Sequence, residues 1–540
     1  MRRLKYELIR YLTLLIILSL ASYRFYLSYY LPNMGDAALH AWVIEEITKK
    51  EELIFTVPNI LTNFPNGFPL QYPVFFHLTF SIGDIIIGGY KFLPPVFGVL
   101  SVLLIYLIGK DAFKSEVVGL FSAFFVAIHP YYILFTSTVF MESLIVFEIL
   151  AVVWLYLRYI GTSDKRYLIL TVIFLGISIG TKQIGYILVA IILLFHFIVF
   201  RKNKYKISIF LLFGSILIGF PMLLSFYRSF GTLLFPMRGD IDKLLFSNSE
   251  WTTDPLFDKI GESLSYSHLK RYLDPNDILN FYDPSAYYLT SAQFNKMIFV
   301  FMIIIGIISC LYMIYKSKNR SYYGKRIGFI IMVLICYHVA LILLRQPRYF
   351  IHSMLLVLPI FIYPIVFLKN RIMVGRNVIV VLITTLIIFG SIMFTEGIIF
   401  NTNWINTQGW MPSKGNMHDE IEAFEFINSH ISKNERVLDF HLYHALYYLN
   451  DKDIVTVTAF GGMDVYSAIF SNDPIQLESI LVKYNIKYFV IREKYIVERD
   501  PLTLMEIPID VYNSLISSGL FKPAFSRPGI IVWEFTGDNK

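Results

Sequence analysis

The sequence predicts an α-helical polytopic membrane protein that ends in a small α/β domain. Of its 540 residues, 56% are hydrophobic and only 16% are charged, with a mean hydropathy of +0.58. Soluble domains carry charges at roughly a quarter of their positions. Apolar runs approaching the roughly 20 residues that cross a bilayer recur as far as about residue 400, and mixed helix and strand patterns follow. The 17% aromatic content is typical of helix ends anchored at headgroup level.

The first apolar run, 8–31, follows the basic stretch Met1–Lys5 and resembles a signal peptide with small residues at Ser19–Ala21. A signal-peptide core is only about 7 to 15 residues long. This run is longer, so we expect an uncleaved anchor that spans the membrane.

About eleven apolar runs are expected to span the membrane. They lie near 8–31, 91–109, 115–130, 138–160, 166–181, 183–200, 206–227, 294–315, 327–344, 349–368 and 377–397.

A further run, 72–89, is ambiguous, and the basic residues of the loops decide its interpretation. If it does not span, Lys and Arg gather on one side, in clusters near 2–10, 110–114, 158–166, 201–206, 316–326 and 369–376. If it spans, the first cluster falls opposite the others. We therefore interpret 72–89 as re-entrant or interfacial. The prediction is a multi-pass plasma-membrane protein with a cytoplasmic N-terminus and an extracytoplasmic C-terminal domain.

Two domains are expected: a membrane domain, 1–400, with outer loops 32–90 and 229–293, and a soluble α/β domain, 401–540. In the first outer loop, Ala37 to Lys50 form an amphipathic pattern suited to a helix in the interface plane. In the C-terminal domain the predicted helices are 420–430 and 474–484, and the predicted strands are 436–440, 454–459, 487–491 and 530–535. Helices alternating with strands favour a mainly parallel sheet.

This topology places one group of polar residues at the outer mouths of the spans. The group comprises Asp36, His40, His129, Glu142, Lys182, Arg345, Arg348, Tyr349 and His352. Ionisable residues at the membrane boundary are costly, so they are functional candidates by default. Carboxylates and cations at one depth suit chemistry on an anionic lipid headgroup.

Asp36 opens the amphipathic segment, where it could act as a helix N-cap, as a functional acid, or as both. His40 follows one turn later, a spacing suited to a shared metal or to an ordinary interfacial histidine. Glu142 begins the fourth span, where it could stabilise the first turn or take part in chemistry.

Arg345 and Arg348 lie in a very short outer loop, where they could bind a phosphate or snorkel to lipid headgroups. Lys182 is a similar candidate. Arg24, inside the first span, could pair with a buried acid or snorkel.

Several function classes are not indicated. Because Lys and Arg follow the loops, the net charge of +7 is a topology signal, and no nucleic-acid partner is expected. Cys310 and Cys336 both fall in apolar runs, so no disulfide framework or cysteine metal site is expected. No Gly-rich phosphate loop follows a C-terminal strand.

The ordered set of short motifs resembles the GT-C superfamily of polytopic glycosyltransferases that use polyprenyl-phosphate sugars. The motifs are Gly35-Asp36, Tyr72-Pro73, His129-Pro130, Met141-Glu142, Gly176 to Lys182 and Arg348-Tyr349. The likeness covers about residues 1–400 and is strongest to the branch of protein O-mannosyltransferases and aminoarabinose transferases. A Trp-Trp-Asp run, typical of oligosaccharyltransferases, is absent.

The resemblance implies that Asp36 and Glu142 are the two outer-loop acids of the family. The chain departs from the family pattern in having a lone acid between Gly35 and Ala37, and Gln71 near the position of a frequent basic residue. Donor-phosphate binding would therefore involve Arg345, Arg348 or Lys182, with Tyr349 beside them. His40, His129 and His352 are further candidates.

The expected activity is transfer of a hexosyl or pentosyl group, with inversion, from a polyprenyl-phosphate carrier to a protein, lipid or glycan hydroxyl at the outer face of the bilayer. Asp36 would act as general base, or would share a divalent cation (Mg, Mn or Zn) with Glu142. The alternatives are a flippase for lipid-linked glycans, which would place charges near mid-membrane, and a non-catalytic glycan-assembly scaffold.

Overall fold

The computed structural model shows two compact units formed by non-contiguous parts of the chain. One unit comprises residues 1–31 and 71–401, and the other comprises residues 32–70 and 402–540. Residues 32–70 of the predicted first outer loop thus group with the C-terminal part of the chain, and its remainder belongs to the first unit. The structure describes residues 2–31, 33, 36–54, 56–57, 68–69, 74–182, 184–200, 204–230, 306–308, 310–312, 314–315, 320–344, 355–360, 362–363, 366, 417–440, 445, 447–449, 454–455, 463–471, 473–493, 496–497 and 507–537.

The first unit is helical. Its described helices are α1 (Arg2–Ala21), α2 (Tyr23–Tyr30), α4 (Val74–Ile87), α5 (Leu93–Phe113), α6 (Glu116–Ile128), α7 (Pro130–Phe135), α8 (Met141–Thr162), α9 (Lys165–Thr181), α10 (Gly185–Val199), α11 (Lys204–Phe230) and α12 (Arg320–Leu344). Helix α3 (Asp36–Lys50) belongs to the other unit.

Four described helical segments are long and apolar enough to cross a membrane: Glu7–Tyr30, Tyr90–Phe113, Met141–Thr162 and Lys204–Leu224. The chain is therefore a multi-pass membrane protein. The predicted span 377–397 lies outside the described residues, and 294–315 and 349–368 are described only in part. The count of about eleven spans stays a prediction.

Helix α4 occupies the ambiguous run 72–89. Its 14 residues, at 1.5 Å each, give about 21 Å, less than the roughly 30 Å hydrocarbon core. It ends where Gly88 takes a left-handed φ of 74° and the Asp84 carboxylate accepts from the Tyr90 N–H at 3.0 Å. Helices α6 and α10, which lie in two predicted spans, are similarly short at 13 and 15 residues, so the re-entrant interpretation of 72–89 stays a prediction.

Helices α8 and α9 form the antiparallel pair on which the site is built. Helix α8 ends at Thr162, and the next residue, Ser163, has a left-handed φ of 57°. Asp164 then caps α9 by accepting from the Arg166 N–H at 2.9 Å. The two-residue connection returns the chain along α8, so the end of α9 lies beside the start of α8. In the most apolar window of α8, 72% of residues are buried, against 17% in the first span.

The second unit contains a five-stranded sheet in the order β4-β3-β5-β9-β8. Its elements are α13 (Met417–His430), β3 (Arg436–Asp439), β4 (Ile454–Val455), α14 (Met463–Phe470), α15 (Pro474–Lys483), β5 (Ile486–Arg492), α16 (Ile509–Ser517), β8 (Phe521–Arg527) and β9 (Ile530–Phe535). Two small pairs accompany it: β1 (Thr56–Val57) with β2 (Phe68–Pro69), and β6 (Ile496–Val497) with β7 (Ile507–Pro508).

The sheet is mixed, which corrects the expectation of a mainly parallel sheet. Strand β3 pairs in parallel with β4 and β5, but β9 pairs antiparallel with both β5 and β8. The difference comes from the hairpin at Pro528-Gly529, where Gly529 has a φ of 85° that a tight hairpin turn requires. This turn also creates β8, a strand absent from the sequence prediction.

Helices cover both faces of the sheet. On one face, α14, α15 and α16 bury apolar residues against Leu438, Phe489 and Trp533. On the other, Phe426 of α13 contacts Tyr488 and Phe525 at centroid distances of 6.2 and 5.3 Å. This arrangement confirms the small α/β region expected at the C-terminus.

Candidate functional site

The clearest polar contact in the membrane unit joins two of the predicted site residues. The Lys182 ammonium lies 2.6 Å from Glu142 Oε1, and the two residues are only 5% and 2% exposed. Glu142 lies in the first turn of α8, and Lys182 follows the last residue of α9. A buried charge needs an opposite charge beside it, and each residue supplies that for the other.

A second polar contact, which the sequence reasoning missed, joins the same two helices. The Thr181 hydroxyl donates to Glu148 Oε1 at 2.8 Å, and Glu148 is 1% exposed. Its other oxygen, Oε2, is buried without a hydrogen-bond partner among the described residues. An acid inside the apolar run 138–160 was the available signal, since intramembrane acids are expensive.

The backbone around Lys182 is shaped by close packing. Lys182 leaves the helix in an extended conformation, and its N–H bonds Ser178 O at 3.0 Å. At Gly180 an added Cβ would lie 2.1 Å from the Phe75 ring, so α4 approaches α9 where no side chain intervenes. At Gly185 a Cβ would lie 2.5 Å from the Ser178 carbonyl carbon. Gly180 thus lets α4 pack against α9, and Gly185 lets α10 begin close against the end of α9.

Arg24 supports the corner that precedes Glu142. It is fully buried, so it does not snorkel, and among the described residues no acid pairs with it; these were the two alternatives the sequence left open. Its guanidinium donates to Thr136 Oγ1 at 2.7 Å, Ala127 O at 3.0 Å and Val126 O at 3.1 Å. These partners lie at the ends of α6 and α7, so Arg24 ties α2 to the turn leading into α8.

His129 has a local structural role. Its Nδ1 accepts from the Tyr132 N–H at 3.2 Å and so caps α7. A ring nitrogen that accepts leaves the other nitrogen to carry the proton in the neutral form. The structure therefore fixes the tautomer of His129.

Asp36 is the first residue of α3 and belongs to the second unit. Its carboxylate lies in the first turn, where the helix dipole favours a negative charge. His40, one turn later, is 2% exposed. Asp36 and His40 therefore lie one turn apart on α3 in the second unit, whereas Glu142 and Lys182 form an ion pair in the first unit. The other predicted site residues, Arg345, Arg348, Tyr349 and His352, lie outside the described residues.

A divalent cation shared by Asp36 and Glu142 was one of the two roles that the sequence left open for Asp36. Within the described ranges, no group of three or more His, Cys, Asp or Glu side chains is arranged to hold a metal ion. Glu142 already binds the Lys182 ammonium, and a metal ion there would be repelled by that charge. The described residues therefore do not fit a metal ion at Glu142.

Residues 69–226 match the family described as dolichyl-phosphate-mannose-protein mannosyltransferase. A search of curated proteins finds no significant match.

Several solved structures are similar to this chain. The archaeal oligosaccharyltransferase AglB from Archaeoglobus fulgidus, in complex with an inhibitory peptide and a dolichol-phosphate, aligns with a TM-score of 0.56 and 15% identity over 89% of this chain and 69% of that chain. The arabinofuranosyltransferase AftD from Mycobacteria aligns with a TM-score of 0.50 and 12% identity over 96% of this chain and 41% of that chain. ArnT from Cupriavidus metallidurans aligns over 98% of both chains at 11% identity, but its TM-score is only 0.47.

The family match and the shared fold confirm the resemblance to the GT-C superfamily. They support a membrane glycosyltransferase. At 15% identity, the likeness to AglB shows a common fold and does not choose between branches of the superfamily.

Proposed function

We propose that this protein transfers a sugar from a polyprenyl-phosphate carrier to an acceptor hydroxyl at the outer face of the membrane. The observation that carries the proposal is the buried pair of Glu142 and Lys182 at adjoining ends of α8 and α9. The pair occurs in a part of the chain that matches a family using a phosphate-linked sugar.

Lys182 is proposed to neutralise the donor phosphate. An ammonium has three N–H donors in a compact head on a flexible stem, so one cation can bond Glu142 and a phosphate oxygen together. Glu142 keeps that cation in place and compensated before the donor binds. Because the pair is buried, its charges act in a water-poor site, where positioned charge is most effective. Arg345 and Arg348 are proposed to bind the same phosphate.

Asp36 is proposed as the general base. As the acceptor oxygen bonds to the anomeric carbon, its proton passes to the Asp36 carboxylate. The bond from that carbon to the phosphate oxygen breaks, and the phosphate leaves with the bonding electrons. Lys182, Arg345 and Arg348 stabilise the added negative charge on the lipid phosphate. A single displacement of this kind inverts the anomeric configuration, and the product could be a glycosylated protein, lipid or glycan.

The test is transfer from a radiolabelled polyprenyl-phosphate sugar in membranes that contain the full chain. Asp36→Asn should lower kcat by about 10²- to 10⁴-fold, the usual contribution of a general base. Glu52→Gln makes the same chemical change at an exposed residue of the same outer loop and should leave transfer unchanged.

Full activity of Asp36→Asn would exclude the general-base role. If the lipid donor moves across the bilayer and no glycosidic product forms, the proposed transferase function is wrong and the protein is a flippase. Arg345→Met and Arg348→Met should raise the KM for the lipid donor, and an unchanged KM in both would exclude their role in phosphate binding.

A further inference from the structure

A hydrogen bond links the segment before Asp36 to the C-terminal part of the second unit. The Tyr448 hydroxyl donates to the Asn33 carbonyl oxygen at 3.0 Å, and Asn33 is 2% exposed. Asn33 precedes Asp36 by three residues, a stretch of chain that spans at most about 10 Å. Fixing the Asn33 carbonyl therefore restricts the positions that Asp36 can occupy.

Tyr448 is itself firmly held by α13. Its ring stacks on Phe424, with centroids 6.1 Å apart and planes 4° from parallel. Its carbonyl oxygen accepts from Asn428 Nδ2 at 2.8 Å. Contacts to both ring and backbone leave the hydroxyl in one place, which is the condition for a precise hydrogen bond.

Helix α13 is in turn fixed to the sheet by buried charges. Arg492, at the end of β5, donates to both oxygens of Asp439, at the end of β3, with distances of 2.7 and 3.1 Å. Its Nε lies 3.1 Å from Glu420 of α13. A continuous set of rigid contacts thus runs from the sheet through α13 and Tyr448 to Asn33.

The charge environment keeps the Tyr448 hydroxyl a donor. Burial raises the pKa of Tyr448 well above its usual range, and the negative charges of Glu420 and Glu45 raise it further. Glu45 lies on α3, the helix that Asp36 begins. The backbone carbonyl of Asn33 can only accept, so the Tyr448 hydroxyl must be the donor in this hydrogen bond.

We propose that Tyr448 is a positioning residue, through which the C-terminal domain holds the Asn33–Asp36 segment in the geometry needed for sugar transfer. The proposal rests on the general-base role proposed for Asp36. It gives the C-terminal domain a part in the reaction without contact with the reacting atoms. A base that is displaced by about 1 Å loses much of its effect, because proton transfer requires the acceptor oxygen within hydrogen-bond distance.

The test compares Tyr448→Phe with Tyr484→Phe in full-length protein in membranes. Tyr448→Phe removes the hydroxyl and keeps the ring that stacks on Phe424. Tyr484→Phe also removes a hydroxyl from a hydrogen bond in the same domain, the 2.6 Å bond to Asp464. Tyr448→Phe should lower kcat by about tenfold, the equivalent of one hydrogen bond, with little change in KM for the lipid donor. Tyr484→Phe should leave both unchanged.

A second measurement follows the position of the segment without using activity. Lys49 and Lys50, at the end of α3, have side chains 64% and 55% exposed, so trypsin can reach them. Tyr448→Phe should speed cleavage there and should leave cleavage at the exposed Lys483 unchanged. A general loss of folding would instead speed cleavage at both places.

The outcomes separate this proposal from the proposed function. Full activity of Tyr448→Phe beside an inactive Asp36→Asn would overturn the positioning role and leave the general base in place. If Asp36→Asn is fully active, the general-base role fails and trypsin decides whether Tyr448 orders the segment. If trypsin then cleaves Tyr448→Phe at Lys49 and Lys50 at the wild-type rate, the proposal that Tyr448 orders this segment is wrong as well.

Discussion

Two buried ion pairs, one in each unit, differ in how tightly the cation is held. In the membrane unit, Lys182 meets Glu142 through a 2.6 Å contact. In the C-terminal domain, Arg492 grips both oxygens of Asp439 at 2.7 and 3.1 Å, and Glu420 lies on its other side. A planar guanidinium held on two sides fixes the strands that carry it, whereas an ammonium on a flexible stem can share its donors with a new anion. We therefore interpret the arginine cluster as structural and the lysine pair as functional.

The largest expected effect is loss of stability from Asp439→Leu. It removes the bidentate partner of a guanidinium that is 3% exposed, and breaking such a pair costs about 3–5 kcal/mol. Thermal unfolding of the purified protein in detergent measures this. The triple variant Asp439→Leu/Arg492→Met/Glu420→Gln should recover most of the loss because none of the three clustered charges then remains. A loss below about 1 kcal/mol in the single variant would contradict the structural interpretation.

The next largest effect is a loss of sugar transfer when the membrane pair is broken. Removing both charges should restore the stability of the protein but not its activity. Lys182→Met should lower sugar transfer by about 10²- to 10³-fold, as expected for removal of a positioned charge. Lys182→Met leaves the buried Glu142 carboxylate without the Lys182 cation and should also lower the stability. The double variant Glu142→Gln/Lys182→Met should regain the stability, since neither charge remains, but its transfer activity should stay low. Recovery of transfer in that double variant would make this pair structural, like the arginine cluster.

A smaller effect is expected at the second contact between α8 and α9. Thr181→Val leaves Glu148 without its hydroxyl donor and should cost about 1–3 kcal/mol, the usual penalty for an unsatisfied buried group. Thr171→Val in the same helix is the matched control, because that hydroxyl bonds the Tyr167 carbonyl of its own helix, one turn earlier, at 2.7 Å. Equal melting temperatures for the two variants would show that the Glu148 contact contributes nothing specific.

The smallest effect is the pH response of a surface pair in the C-terminal domain. Burial alone would raise the pKa of Asp464, but the Tyr484 hydroxyl and the Lys483 ammonium lower it below its usual value. A depressed pKa means that the stabilisation is present above the unfolded-state value, near 4, and is lost as the pH falls through the folded-state value. The stability difference between wild type and Asp464→Asn should stay under about 1 kcal/mol at neutral pH and vanish in acid. Thermal unfolding between pH 3 and 7 measures it, and a difference that grows in acid would reverse the assigned sign.

Periodicity and composition predicted the elements whose signals are local. Helices α8 and α9 lie close to the predicted runs 138–160 and 166–181, because long apolar stretches have few alternatives in a bilayer. Strand β9 was predicted at 530–535, but pairing between strands is not local, so its antiparallel pairing and the added strand β8 were missed although Pro528-Gly529 marked their turn.

In the candidate site, too, the individual residues could be predicted from local signals, but their contacts could not. Glu142 and Lys182 were each identifiable from the sequence as charges at the ends of apolar runs, but their pairing depends on the antiparallel return of α9 along α8. Glu148 and the buried Arg24 took their roles from partners 33 and more than 100 residues away. Such contacts depend on how the helices pack, so no local pattern in the sequence predicts them.

The sequence by itself determined the membrane class, the presence of helices and strands in the C-terminal region and the types of side chain available for phosphate chemistry, because hydropathy and charge act through composition and local spacing. Only the tertiary structure decided which charges are paired, that Arg24 bonds carbonyls, and that Tyr448 meets the chain 415 residues earlier at Asn33. The physical reason is that burial makes an unpaired polar group costly, and its partner is whichever complementary group the fold brings near.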